Sequence, residues 1–190
     1  LTSLLGTGGQ RVKLHDFLNL PATLALNRFS YECLFAPEAV ITSSGDPQTK
    51  QIWEAISRIP KPVKILDYGA GKGRLLTSLL EDLDEEGQKQ AAQQWDYVAF
   101  DGYTYDKDEC CTVINQFYGT ADNRYFNKYD FFINEHDKES FDIIVMCNVL
   151  HEINPAEWIE LFQSSGKLSS LLKPNGHLLI VEDTLMPNGE

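Results

Sequence analysis

The apolar positions divide the chain into two regimes. Up to residue 47 they are weakly patterned. Gly6, Gly8 and Gly9 predict a loose start, Leu18, Leu20, Leu24, Leu26 and Phe29 predict one or two short helices, and Ser43-Ser44-Gly45-Asp46-Pro47 is a turn cluster. Residues 48–59 then predict a helix with Ile52, Trp53, Ile56 and Ile59 on one face, stopped by Pro60 and Pro62. Beyond that point short apolar runs alternate with helical stretches. Strands are predicted over residues 63–66, 97–100, 143–147 and 177–182, with a weaker one over 124–129. Helices are predicted over 74–83, where Leu75, Leu76, Leu79, Leu80 and Leu83 share a face, and over 110–118. A third begins at Asn154-Pro155-Ala156-Glu157, which supplies a cap, a proline at the first position and an acid in the first turn, and is expected to reach Leu172. The run 143–147 scarcely alternates, as in a parallel strand covered on both faces. The order predicts an α/β fold: a doubly wound, mostly parallel sheet flanked by helices.

Composition narrows the class. With 190 residues, 43% of them hydrophobic and 23% charged, the chain is long enough for one domain, or one and a short extension, with its own core. No stretch approaches 18 uninterrupted apolar residues, and residues 1–30 hold no basic start followed by an apolar block, so neither a membrane span nor a secretory signal is expected. The net charge is −12, concentrated in residues 81–142, which hold 16 acidic and 5 basic side chains. Such a surface disfavours a phosphate backbone or an anionic membrane as partner. Cys33, Cys110, Cys111 and Cys147 have no metal-ligand spacing. They are expected to be reduced thiols in a cytoplasmic protein, and no metal site is predicted.

In sheets of this kind ligands bind beyond the carboxyl ends of the strands, so the residues that follow each strand carry the candidate chemistry. The first strand runs into Asp67-Tyr68-Gly69-Ala70-Gly71-Lys72-Gly73-Arg74 at the start of a helix. The glycines permit a tight turn and let backbone N–H groups approach a ligand. A phosphate loop of the Walker type would need Ser or Thr after Lys72, and a dinucleotide fingerprint would need its third glycine one residue later. The second strand ends at Asp101, an acid placed to accept both hydroxyls of a ribose. The fourth runs into Cys147-Asn148-Val149-Leu150-His151-Glu152-Ile153. His15, His136 and His177 lie away from any strand end with other candidate groups and are expected to have no catalytic part.

Taken in order, residues 63–74, 97–102, 141–153 and 171–183 resemble the motifs of the class I S-adenosylmethionine-dependent methyltransferases, over roughly residues 48 to 187. The resemblance implies a Rossmann-like core that binds S-adenosyl-L-methionine. It implies that Gly69, Gly71 and Gly73 pass beneath the methionine moiety, with Asp67 near its amino group. Asp101 would hold the ribose hydroxyls, and Gly102 and Tyr103 would lie near the adenine. Asp130, 12 residues before Asp142, would face the adenine amino group, with Phe131 flanking the ring and Asn148 facing the sulfonium region. The segment at His151 is similar to the His-Asp-Trp region of small-molecule O-methyltransferases, in which the histidine is the base; here Glu152 replaces the Asp and Ile153 the Trp. His151 is thus either a catalytic base, with Glu152 as its orienting partner, or a residue that packs against the following helix.

The resemblance implies two parts: an N-terminal helical extension or cap over residues 1–47, and a methyltransferase core over 48–190. The family core has seven strands, and this chain stops eight residues after the fifth. Without the last two strands, a further C-terminal segment or a protein partner is expected to cover the sheet edge. The expected activity is methyl transfer to a small-molecule acceptor, at a hydroxyl. The alternatives are a protein or RNA methyltransferase domain of a larger chain and a catalytically silent scaffold. A nicotinamide-dependent oxidoreductase is disfavoured by the glycine spacing. No DNA and no membrane partner is expected.

Overall fold

The computed structural model describes residues 47–163 and 166–182. The expected extension over residues 1–47 lies outside the described residues except for Pro47, which opens the first helix. The elements are α1 (Pro47–Ser57), β1 (Val63–Tyr68), α2 (Arg74–Asp82), α3 (Glu85–Gln94), β2 (Trp95–Phe100), α4 (Lys107–Tyr118), β3 (Tyr125–Phe126), α5 (Tyr129–Glu135), β4 (Phe141–Cys147), a 3₁₀ turn (Leu150–Glu152), α6 (Pro155–Phe162) and β5 (Leu172–Val181).

The strands form one five-stranded sheet in the order β3-β2-β1-β4-β5, and each pairing is parallel. This is the doubly wound parallel sheet that the alternation predicts, in the Rossmann-like form that the resemblance implies. Alternate residues of each strand face opposite layers. Ile65, Tyr97, Ile143 and Val145 pack with Ile52 and Ile56 of α1, Leu75, Leu76 and Leu79 of α2 and Ile114 of α4. Leu66, Val98, Ile144 and Met146 pack on the other side with Phe132 of α5 and Leu161 of α6. Leu66 and Ile144 are neighbours in register and both fully buried. Each buried side chain of this size contributes roughly 1.5–3 kcal/mol.

Several boundaries differ from expectation. The weaker strand over 124–129 shrinks to Tyr125–Phe126, because the chain already turns into α5 at Tyr129. The acidic stretch between the first two sheet strands forms α3, where the Asp84 side chain accepts from the Gly87 N–H at 2.8 Å. The last long helix ends at Phe162 instead of reaching Leu172. Lys167 and Leu168 donate their N–H groups back to the carbonyls of Glu160 and Leu161, so the chain folds back instead of continuing. β5 starts earlier than expected, at Leu172, and Lys173-Pro174-Asn175-Gly176 forms an irregularity between the pairings Phe141↔Leu172 and Ile143↔His177.

Candidate active site

The crossover helices after β1 and β4 lie on opposite faces of the sheet, so the chain parts at their carboxyl ends and leaves a crevice there. Asp67 through Gly73 line the β1 side. The turn is pinned to the end of β2: Gly69 and Ala70 donate to the Phe100 carbonyl at 2.7 and 3.2 Å. Gly69 has φ +84°, and a Cβ there would lie 2.2 Å from Cγ2 of Val149, so the segment after β4 can approach only a glycine. Gly71, at φ +51°, is different. Among the described residues, a Cβ there would meet no atom nearer than Asp106 Oδ2 at 4.0 Å. The described residues leave the space over Gly71 open. Gly73, also left-handed, caps α2 and packs against Cys110.

Asp67 is buried, 3% exposed, and accepts a hydrogen bond from the Tyr97 hydroxyl at 2.6 Å. Burial raises its pKa to about 6, against the lowering influence of Tyr97 and of the Arg74 charge. Burial and the adjacent carboxylate in turn hold the Tyr97 hydroxyl well above the usual tyrosine value. Asp101 lies at the mouth. Its Oδ2 accepts from the Gly71 N–H at 2.7 Å and its Oδ1 from the Tyr103 N–H at 2.8 Å. A carboxylate has about four acceptor positions, so two backbone bonds orient it and leave capacity for hydroxyls of a ligand. A Cβ at Gly102 would meet nothing within 4 Å among the described residues, and Tyr103 is exposed and stacked on Tyr105, with ring centres 5.9 Å apart. The Tyr125 hydroxyl holds the Tyr103 carbonyl at 3.2 Å.

On the β4 side Asn148 has φ +56°, and its N–H donates to the Val181 carbonyl at 2.8 Å. Its side-chain amide pairs with that of Gln48, Gln48 Nε2 donating to Oδ1 at 3.0 Å and Asn148 Nδ2 to Gln48 Oε1 at 2.9 Å. Arg74 Nη2 donates to the same Gln48 Oε1 at 3.0 Å and to Cys147 Sγ at 2.6 Å. A small pocket among these groups is lined by Thr49, Asp67, Gly69, Ala70, Arg74, Leu75 and Cys147.

The structure thus brings Asp67, Gly69, Gly71, Gly73, Asp101, Gly102, Tyr103 and Asn148 to one end of the sheet. Asp130 lies exposed in the first turn of α5, and no hydrogen bond joins it to the others among the described residues. The side chains of Phe131 and His151 lie outside the described residues. The backbone of His151 runs through the 3₁₀ turn with that of Glu152, whose side chain is exposed, and the turn is held where the Leu150 N–H donates to Glu182 Oε1 at 2.7 Å. No cluster of three metal-ligating side chains occurs among the described residues.

Sequence reasoning missed Gln48 and Tyr97. Tyr97 carries a usable signal. In parallel register Ile65 pairs with Tyr97 and Asp67 with Ala99, so Asp67 and Tyr97 face the same side one step apart. Gln48 carries none; it is one polar residue in a helix start.

The open backbone at Gly71, the oriented acid at Asp101 and the buried acid at Asp67 fit the three chemical parts of S-adenosylmethionine: a chain that needs room, a ribose and an ammonium. Comparisons with known proteins address the family. A family model described as "Methyltransferase domain" matches residues 47–187. A highly reducing polyketide synthase of Gibberella fujikuroi is 26% identical over 151 residues, covering 78% of this chain and 6% of that protein. A hybrid PKS-NRPS synthetase of Aspergillus flavus is 29% identical over 137 residues, covering 64% of this chain and 3% of its own length. The chain therefore spans a small part of these curated relatives. A solved structure of a putative methyltransferase from Bacillus halodurans has 19% identity and a TM-score of 0.49, covering 73% of this chain and 52% of that one. With the family model matched across the whole sheet, the chain belongs to the class I S-adenosylmethionine-dependent methyltransferases.

Proposed function

We propose that this domain transfers a methyl group from S-adenosylmethionine to a small-molecule acceptor, of the polyketide kind that the names of its two curated relatives print, within a longer chain. The observation that carries the donor half is the Gly71–Asp101 hydrogen bond, which sets an open glycine backbone and a ribose-type acid side by side. Asp67 would hold the ammonium end, Asp101 the ribose, and Gly102 and Tyr103 the adenine edge. Asp130 and Phe131 follow from the family pattern. When bound, the cofactor supplies a methyl group already activated by a positive sulfur. The protein then has two tasks: to align the acceptor and to remove its proton.

His151 is the residue we assign to the proton, with Glu152 orienting it. The fourth-strand segment favours a hydroxyl acceptor, whose proton passes to the imidazole as the oxygen forms its new bond. The polyketide relatives favour a second reading, a carbon between two carbonyls, whose acidic proton the same base would take. The test uses the donor with a deuterated methyl group and a β-ketoacyl acceptor that also carries a free hydroxyl. Mass and NMR analysis of the product separates the cases: a label on oxygen supports the first, and a label on carbon the second. Donor binding without transfer to either position would leave the silent-scaffold alternative standing. The acidic surface further leads us to expect no binding of DNA, RNA or membrane. No helix among the described residues is long and apolar enough to cross a membrane.

A further inference from the structure

Four polar side chains meet where β1 and β4 part, and three of them come from different elements: Gln48 from the first turn of α1, Arg74 from the start of α2 and Cys147 from the end of β4. The fourth, Asn148, follows β4 and lies 100 residues from Gln48. The two amides exchange both bonds of a reciprocal pair, which fixes each plane against the other. Flipping both amides together would preserve that pair. Arg74 removes the ambiguity: a guanidinium only donates, so the atom 3.0 Å from Nη2 is the oxygen of Gln48. Gln48 therefore sets the position of Arg74 and the orientation of Asn148 at once.

The pocket beside this cluster presents one buried carboxylate, Asp67, and one guanidinium, Arg74. Such a pair suits a ligand end that carries both an ammonium and a carboxylate. Anchoring α1 does not require Gln48. Ile52 and Ile56 are fully buried against the sheet, and Trp53 Nε1 donates to the Leu75 carbonyl at 3.0 Å and to Ser78 Oγ at 3.1 Å.

We propose that Gln48 is a positioning residue for the amino-acid end of the cofactor, holding Arg74 where its guanidinium meets the ligand carboxylate. This goes beyond the cofactor reading above and rests on it. Titration calorimetry of the chain with S-adenosylhomocysteine and, separately, with adenosine tests it, since adenosine lacks the amino-acid end. In Gln48→Ala, S-adenosylhomocysteine should bind about tenfold more weakly, the scale of one lost charge-assisted contact, and adenosine unchanged. Gln48→Glu places a carboxylate on Arg74, so it should stay folded and bind S-adenosylhomocysteine at least as weakly, with adenosine again unaffected. Equal weakening of both ligands, or wild-type affinity in both Gln48 variants at a temperature where they are folded, overturns the proposal. A wild-type chain that binds adenosine but not S-adenosylhomocysteine, or neither ligand, removes the cofactor reading and this inference with it.

Discussion

At the amino end of the sheet, charges are paired. Asp142 accepts the Lys64 N–H at 2.8 Å and the Lys173 ammonium at 2.7 Å, and Asp96 holds Arg124 at 2.7 Å. His136 there sits among Phe126, Phe132 and Phe141, with ring centres 4.9–5.2 Å away. Burial and the neighbouring Lys64 lower its pKa to about 4, against Asp96 and Asp137, so it stays neutral. At the carboxyl end the backbone takes three left-handed glycines and a left-handed Asn148, and Asp67 is buried with a pKa of about 6. One end of the sheet is arranged for stability. The other keeps a carboxylate where ionising it is unfavourable, as sites that must receive a charged ligand do.

The comparison breaks most sharply at Gly71. Gly71→Val should abolish S-adenosylhomocysteine binding by calorimetry, because the side chain enters the open space. The protein should remain folded, since the left-handed backbone costs only about 1–2 kcal/mol. Retained binding would mean that the open backbone is not the cofactor's seat.

His151→Ala should lower turnover by about 10²–10⁴ while leaving S-adenosylhomocysteine affinity unchanged. If His151 only packs, unfolding temperature falls and turnover per folded molecule is preserved. Full activity in the folded variant removes His151 from the catalytic residues.

The two titrating groups should pull stability in opposite directions. The folded-state pKa of Asp67 is raised from 3.8 to about 6. Its favourable contribution is therefore complete below pH 3.8 and lost as pH rises through about 6. At pH 7 the ionised carboxylate costs at most about 3 kcal/mol. Asp67→Asn, which can still accept from Tyr97, should raise the unfolding temperature at pH 7 and weaken cofactor binding. His136 has a depressed folded-state pKa, so its contribution is complete above pH 6.5 and lost as pH falls through 6.5 toward 4. The ring is partly open to solvent, so this effect should be the smaller one. His136→Phe should remove that acid-side loss without touching cofactor affinity. Unfolding temperatures of the three proteins from pH 4 to 8 check both signs. An Asp67→Asn profile parallel to that of the wild type would show that Asp67 is ionised without strain.

The smallest effect is expected at Lys173. Its pair with Asp142 is exposed on the lysine side, so Lys173→Ala should change stability by less than about 1 kcal/mol, and the difference should shrink in high salt. Denaturant titration at two salt concentrations measures it.

Features set by near neighbours in the chain were legible in the amino-acid sequence. The alternation of apolar runs and amphipathic stretches gave the parallel, doubly wound sheet. The spacing of Asp67, Gly69, Gly71 and Gly73, with Asp101 one strand later, placed these residues together at the carboxyl end of the sheet, because a strand–turn–helix unit and its glycines are local matters. Tertiary structure decided what depends on distant partners. β3 is short because α5 begins at Tyr129. Asp67 titrates near 6 because the assembled sheet and its helices bury it, an effect that outweighs the hydrogen bond from Tyr97, 30 residues on. His136 is neutral because three phenylalanines from β3, α5 and β4 converge on its ring. Gln48 reaches the candidate site only because α1 packs against β4 and β5 and its first turn meets Asn148, 100 residues away. A local pattern specifies how the backbone turns. Burial and charge at a point are set by every chain segment that reaches it, and those segments meet only after the sheet has formed.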